Sequence, residues 1–113
     1  MGDHMREAAI LGLTLVNLSA RFHARGGLFF RVNSGKVQSV DGRWIQLAPP
    51  GTADIIGSVA GRFVAVECKT ARGQQRETQK SFQQAVERAG GIYLIARDPD
   101  AVAYDLEKAL STR

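Results

Sequence analysis

The sequence predicts an α/β domain with a mixed central sheet and helices on its faces. Three features carry that expectation. The chain opens with an Ala- and Leu-rich helical segment, two apolar segments meet at Ala60-Gly61, and Ile92-Tyr93-Leu94-Ile95 forms an apolar run between two helical patterns. A run of this last kind suits a strand covered by helices. With 113 residues, 44% of them hydrophobic and only 3 prolines, the chain has the size and composition of one domain with its own core. Residues 5–113 are read as that domain. Residues 1–4, Met1 to His4, resemble a vector-derived remnant, which would start the native chain at Met5.

The elements follow in order. Residues 6 to about 25 lack proline and stop at Gly26-Gly27, which predicts the first helix. Leu11, Leu15, Leu18 and Phe22 recur at helical spacing as its inner face, with Glu7 one turn earlier on the same stripe. Residues 28–32 read as a strand ending in the turn signal Asn33-Ser34-Gly35. Between 36 and 47, Asp41-Gly42 suits a hairpin joining Val37/Val40 to Trp44/Ile45, and Pro49-Pro50-Gly51 forces a break after it.

Residues 54–59 and 62–69 predict two strands around a tight turn at Ala60-Gly61. With 60 and 61 central, paired residue numbers sum to 121, so Val59 faces Arg62 and Asp54 faces Glu67. Direct cross-strand neighbours have Cβ atoms about 5 Å apart, where unpartnered like charges repel. Lys69 projects to the same face as Glu67, and Cys68 to the other. After the polar stretch 70–76, a second helix runs to about 89, with Gln79, Phe82, Gln83 and Val86 as its inner stripe and Gly90-Gly91 as its stop. Residues 91–96 form the next strand. Asp98-Pro99 then predicts a cap and first-turn proline for a last helix that buries Val102, Leu106, Ala109 and Leu110.

Composition narrows the function classes. The excess of 15 Lys+Arg over 11 Asp+Glu gives +4 and favours a polyanionic partner. A single cysteine excludes an internal disulfide framework and fits a reducing cytoplasm. No stretch approaches the roughly 20 apolar residues of a membrane span, so no membrane role is expected.

The chemistry converges on the paired strands. Hydrolysing a phosphodiester requires a nucleophilic water, relief of the charge developing on phosphate, and help for the leaving oxygen, all of which a carboxylate-held divalent metal supplies. Asp54 and Glu67 form a carboxylate pair suited to Mg²⁺, or to Mn²⁺ in its place. Lys69 beside them would position the water or neutralise phosphate, Gln79 would enter from the next helix, and Glu7 would add an outer contact. Arg72, Arg76 and Lys80 flank this site at helical spacing and, with Arg31, are candidates for phosphate contacts.

Asp54, thirteen residues before Glu67-Cys68-Lys69 at the end of a hydrophobic strand, resembles the PD-(D/E)XK nuclease superfamily. Glu7, Arg31-Val32-Asn33-Ser34-Gly35, Gly51-Thr52-Ala53-Asp54-Ile55, Val66-Glu67-Cys68-Lys69, and Gln79 with Phe82 resemble the successive blocks of its VRR-NUC branch, the virus-type replication-repair nucleases of phage and DNA repair, over roughly residues 6 to 96. Ala53 stands where a proline often precedes the aspartate, and Phe82 where a tryptophan often follows the glutamine.

The resemblance implies a restriction-endonuclease-like fold with an α-β-β-β-α-β core. It implies metal ligation by Asp54, Glu67 and the Cys68 backbone carbonyl, catalysis with Lys69, and support from Gln79 and Glu7. It further implies a homodimer that cuts branched DNA such as four-way (Holliday) junctions, with no organic cofactor, in a bacterial or phage-infected cytoplasm. The rival readings are a non-catalytic DNA- or partner-binding module on the same fold, a nuclease of the same fold acting on flaps, linear duplex or RNA, and an unrelated domain with an accidental acidic pair. Trp44 suits stacking on an exposed base, core packing or a dimer contact.

Overall fold

The first helix, α1 (Glu7–Phe22), runs on into a short 3₁₀ turn at His23–Arg25 and ends at Gly26, whose φ of 78° is the left-handed conformation that glycine adopts freely. In the computed structural model, which describes residues 5–112, the chain then forms β1 (Gly27–Arg31), β2 (Lys36–Gln38), β3 (Trp44–Gln46), β4 (Ile55–Val59), β5 (Arg62–Cys68), α2 (Glu77–Arg88), β6 (Ile92–Ala96) and α3 (Val102–Leu110). Residues 1–4, read as a remnant, lie outside the described residues.

The main sheet has the order β1-β4-β5-β6. The first two pairings are antiparallel, and the last is parallel because α2 carries the chain back over the sheet before β6 begins. The sheet is therefore mixed, as expected. Strands β2 and β3 pair with each other as a separate two-stranded hairpin.

Register follows the turn arithmetic. Pairs run from Val59↔Arg62 to Ile55↔Val66, each summing to 121. Ala60 (φ 50°) and Gly61 (φ 84°) are both left-handed, the turn geometry whose twist matches that of the flanking strands. Strand alternation then sorts the core into two layers. Ile55, Val59, Val64, Val66 and Cys68 pack with Ile10, Leu18 and Phe22 of α1 and Val102 and Leu106 of α3. On the opposite face, Ala65 and Tyr93 pack with Val86, Phe82, Ile56 and Ile95, so α2 covers this layer.

Three details differ from the sequence reading. The buried row of α1 is Ile10, Thr14, Leu18 and Phe22, while Leu11 and Leu15 lie at its margin. Glu7 is correspondingly exposed instead of heading a core stripe. At the last helix, Asp98 does not cap α3. Its Oδ1 accepts from the Asp100 amide at 2.9 Å and its carbonyl from the Ala101 amide at 3.1 Å, so a separate turn precedes the helix.

Candidate active site

Both candidate carboxylates sit where the strands end. The Val32 amide donates to the Asp54 carbonyl at 2.8 Å and extends the β1–β4 ladder by one step. The Asp54 side chain turns toward β5, where Oδ2 accepts from the Cys68 amide at 2.8 Å. Glu67, one residue earlier on β5, shares its face with Ala65 beneath α2. The side chains are deeply set: Glu67, Lys69 and Gln79 are 2%, 5% and 3% exposed.

Gln79 ties the helix to the acid. Its Oε1 accepts from the Arg76 amide at 2.8 Å, satisfying a free donor at the first turn of α2, and its Nε2 donates to Glu67 Oε2 at 2.7 Å. Lys69 Nζ lies 3.8 Å from the same Oε2, a charge contact too long for a good hydrogen bond. Glu67 Oε1 is buried with no hydrogen-bond partner.

Electrostatics at this pair are unfavourable to two bare anions. Burial pushes the Glu67 carboxyl up to about 8, and the neighbouring Asp54 charge adds to the rise. Lys69 opposes it, while the proximity of the Asp54 carboxyl, which a proton on Glu67 would satisfy, and the more distant Glu7 charge reinforce it. The Cys68 thiol points into the opposite core layer, and burial pushes it up to about 12, an inert thiol and not a nucleophile.

The site's oxygens fit a divalent cation. Glu67 Oε1 is an unpaired buried acceptor, Asp54 stands against it, and a cation between them would relieve the repulsion that now favours a proton. An all-oxygen set with two carboxylates suits Mg²⁺ or Mn²⁺, which leave other positions to water and phosphate. Among the described residues no group of three or more His, Cys, Asp or Glu side chains comes together as a metal cage.

The fold thus brings together Asp54, Glu67, Lys69 and Gln79. Arg72, Arg76 and Lys80 lie exposed beside α2, with Arg76 at its N-cap and Lys80 paired to Glu77 at 3.2 Å. Arg31 is not brought in. Its register partner is Ile55, whose side chain packs on the α1 side, the face opposite the carboxylates.

Three contributors were missed in the sequence. Thr14 is fully buried in α1, its hydroxyl unpaired beside the Cys68 thiol. Arg97 Nη1 donates to the carbonyls of Thr70 and Gly73, both at 2.8 Å, and so clamps the loop that follows Lys69. Gly51 (φ 84°) lies so close to α2 that a Cβ there would stand 2.1 Å from the Thr78 carbonyl oxygen. Of the three, only Gly51 carried a signal, as part of Pro49-Pro50-Gly51, and that signal read as a break, not a contact.

A mixed sheet with acids at the adjoining ends of two antiparallel strands, a lysine two residues on, and helices on both faces defines a restriction-endonuclease-like α/β fold. Within that class the chain has the fold of a VRR_NUC domain. A solved structure described as a VRR_NUC domain superposes with a TM-score of 0.52 at 16% identity, covering 94% of this chain and 95% of that one. No family model matches the sequence, and neither does any curated protein.

Proposed function

We propose that the protein is an Mg²⁺- or Mn²⁺-dependent DNA endonuclease whose active site is Asp54, Glu67, Lys69 and Gln79. The observation that carries this reading is the unpaired, buried Glu67 Oε1 held against Asp54, two acidic groups that the fold keeps together at a cost that a proton or a bound cation offsets. Asp54, Glu67 and the Cys68 carbonyl would hold the metal, which when bound activates water and neutralises charge on the scissile phosphate.

The remaining roles belong to the chain. Gln79 fixes the Glu67 carboxylate through its 2.7 Å hydrogen bond and leaves Oε1 free to face the metal. Lys69 orients the attacking water and balances charge on the phosphate. Asp54 is steadied by the Cys68 amide, so that its second oxygen is available. Glu7 stands outside this set and contributes only at long range. Arg72 and Arg76, exposed on the rim, would meet flanking phosphates, and binding through them would weaken steeply with salt.

The substrate we favour is branched DNA such as a four-way junction. The fold supplies one catalytic face, so cutting two strands of a junction calls for two copies related by symmetry, hence a homodimer. The single cysteine, free in the core, suits a reducing compartment, and we place the enzyme in the cytoplasm. Among the described residues no helix is long and apolar enough to cross a membrane. The test is cleavage of labelled four-way junction, flap and linear duplex DNA with Mg²⁺ or Mn²⁺, comparing the parent with Lys69→Ala. Metal-dependent cutting of the junction by the parent alone is expected. Equal activity of Lys69→Ala, or no cutting of any DNA by folded parent, would overturn the assignment.

A further inference from the structure

The β2–β3 hairpin is the part of the molecule that the proposed chemistry leaves unused. It pairs with neither edge of the main sheet, and all six of its strand residues are exposed. An isolated two-stranded hairpin is marginal in water, so a surface contact is expected to stabilise it. Both of its stems are anchored at the candidate site. One leaves β1 through Val32, whose amide binds the Asp54 carbonyl. The other returns through Gly51, pressed against the Thr78 backbone at the turn of α2 that carries Gln79, and leads directly into Asp54. Whatever occupies the acid pair therefore has the hairpin beside it.

Register divides the hairpin into two faces. Gln38↔Trp44 and Lys36↔Gln46 are cross-strand partners, so Trp44, Lys36, Gln38 and Gln46 share one face. Trp44 is 66% exposed, which removes core packing as its role. Lys36 is its diagonal neighbour, about 7 Å away between backbones, and takes part in no ion pair among the described residues. That face holds no carboxylate. The hairpin's one acid, Asp41, lies in the connecting turn and is tied to Arg43 at 3.3 Å. An open indole beside a free ammonium, with no opposing anion, matches the pairing of a nucleobase with its phosphate. A second copy docking hairpin to hairpin would set this face, with Lys36 and no carboxylate, against an identical one.

We propose that the β2–β3 hairpin is a docking arm for unpaired nucleotides of the substrate, with Trp44 stacking on an exposed base and Lys36 meeting an adjoining phosphate. This rests on the nuclease reading and adds to it a basis for preferring branched over continuous duplex DNA, since only unpaired or frayed nucleotides offer a base face.

Trp44 is the chain's single tryptophan, so its fluorescence reports this contact alone. The experiment titrates Lys69→Ala protein in Mg²⁺ with a labelled junction carrying unpaired nucleotides at the branch. DNA anisotropy reports binding, and tryptophan emission with iodide quenching reports Trp44. The proposal expects emission to fall and iodide access to be lost in step with binding. In parallel, Trp44→Ala should weaken binding about 5- to 100-fold, with Trp44→Phe recovering most of it. Binding by anisotropy with unchanged tryptophan signal overturns the docking arm while leaving the nuclease reading intact. No binding of any DNA overturns both. Emission that is already shielded without DNA, and that varies with protein concentration, replaces the docking arm with a contact between copies of the chain.

Discussion

Gln79 shows how one side chain joins helix start and acid. The amide oxygen caps α2 and the amide nitrogen holds Glu67, a division that glutamate cannot reproduce. Gln79→Leu removes both bonds and leaves a buried carboxylate without its donor. Urea unfolding of the metal-free protein should show a loss of about 2–4 kcal/mol. A loss below about 0.5 kcal/mol, the level of an ordinary surface substitution, would show that the contact carries no energy. The position of Gln79 on an inward helical face was legible from spacing, but its double use was not, because hydrogen-bond geometry appears only when α2 is docked.

Glu67 sets a pH dependence. Its carboxyl is raised from 4.5 to about 8 in the fold, so between those values the folded state holds the extra proton. This contribution to the stability of the metal-free protein is fully present below about pH 4.5 and is lost as pH rises through 8. Melting should fall by roughly 5–10 °C from pH 5 to pH 8 in EDTA, and Glu67→Gln should abolish that slope. Melting that rises over this interval would mean that the acid pair is not strained.

At the scale of elements, the β4–β5 register could be derived because a two-residue turn at Ala60-Gly61 fixes which residues of the two strands pair. Ala60 adopts a left-handed φ of 50° that favours glycine or asparagine. Ala60→Asn creates the Asn-Gly pair preferred in such turns and should raise the urea midpoint by the equivalent of about 0.5–1 kcal/mol, with cleavage unchanged. A decrease would show that the turn is held in another geometry.

The face of α1 was harder to place. Leucines outnumber other apolar residues on the Leu11/Leu15 side, and Thr14 disguised the true buried row, which is defined by packing on the sheet and not by hydropathy. In sequence, Gly51 after Pro49-Pro50 signals only a break. Its role is a close approach to α2, so Gly51→Ala should disturb the spacing between Asp54 and Gln79. Circular dichroism of a folded variant alongside its cleavage rate would separate the two effects, with activity expected to fall at least tenfold. Parent-like cutting would show that the site tolerates the displacement.

For the whole molecule, the mixed sheet was legible because a hairpin is followed by a helix and another apolar strand, a sequence order that returns β6 parallel to β5. The strand order and the edge position of β6 were not, since Ile92–Ala96 reads equally as a central strand when helices cover both faces. The candidate acids lie in the layer that α2 covers, while α1 and α3 cover the opposite face of the sheet. Sequence could place Asp54 opposite Glu67, yet the free oxygen of Glu67 and the Trp44 exposure emerge only from the assembled fold.

The most direct test of a metal-holding acid pair is the cleavage rate of Glu67→Gln on junction DNA in Mg²⁺ at pH 8, measured beside its melting temperature. The variant should be at least as stable as the parent without metal, because an amide can donate to Asp54 where a carboxylate repels it, and its cleavage rate should be lowered by about a thousandfold or more. A stable Glu67→Gln protein that cuts at the parent's rate would contradict it.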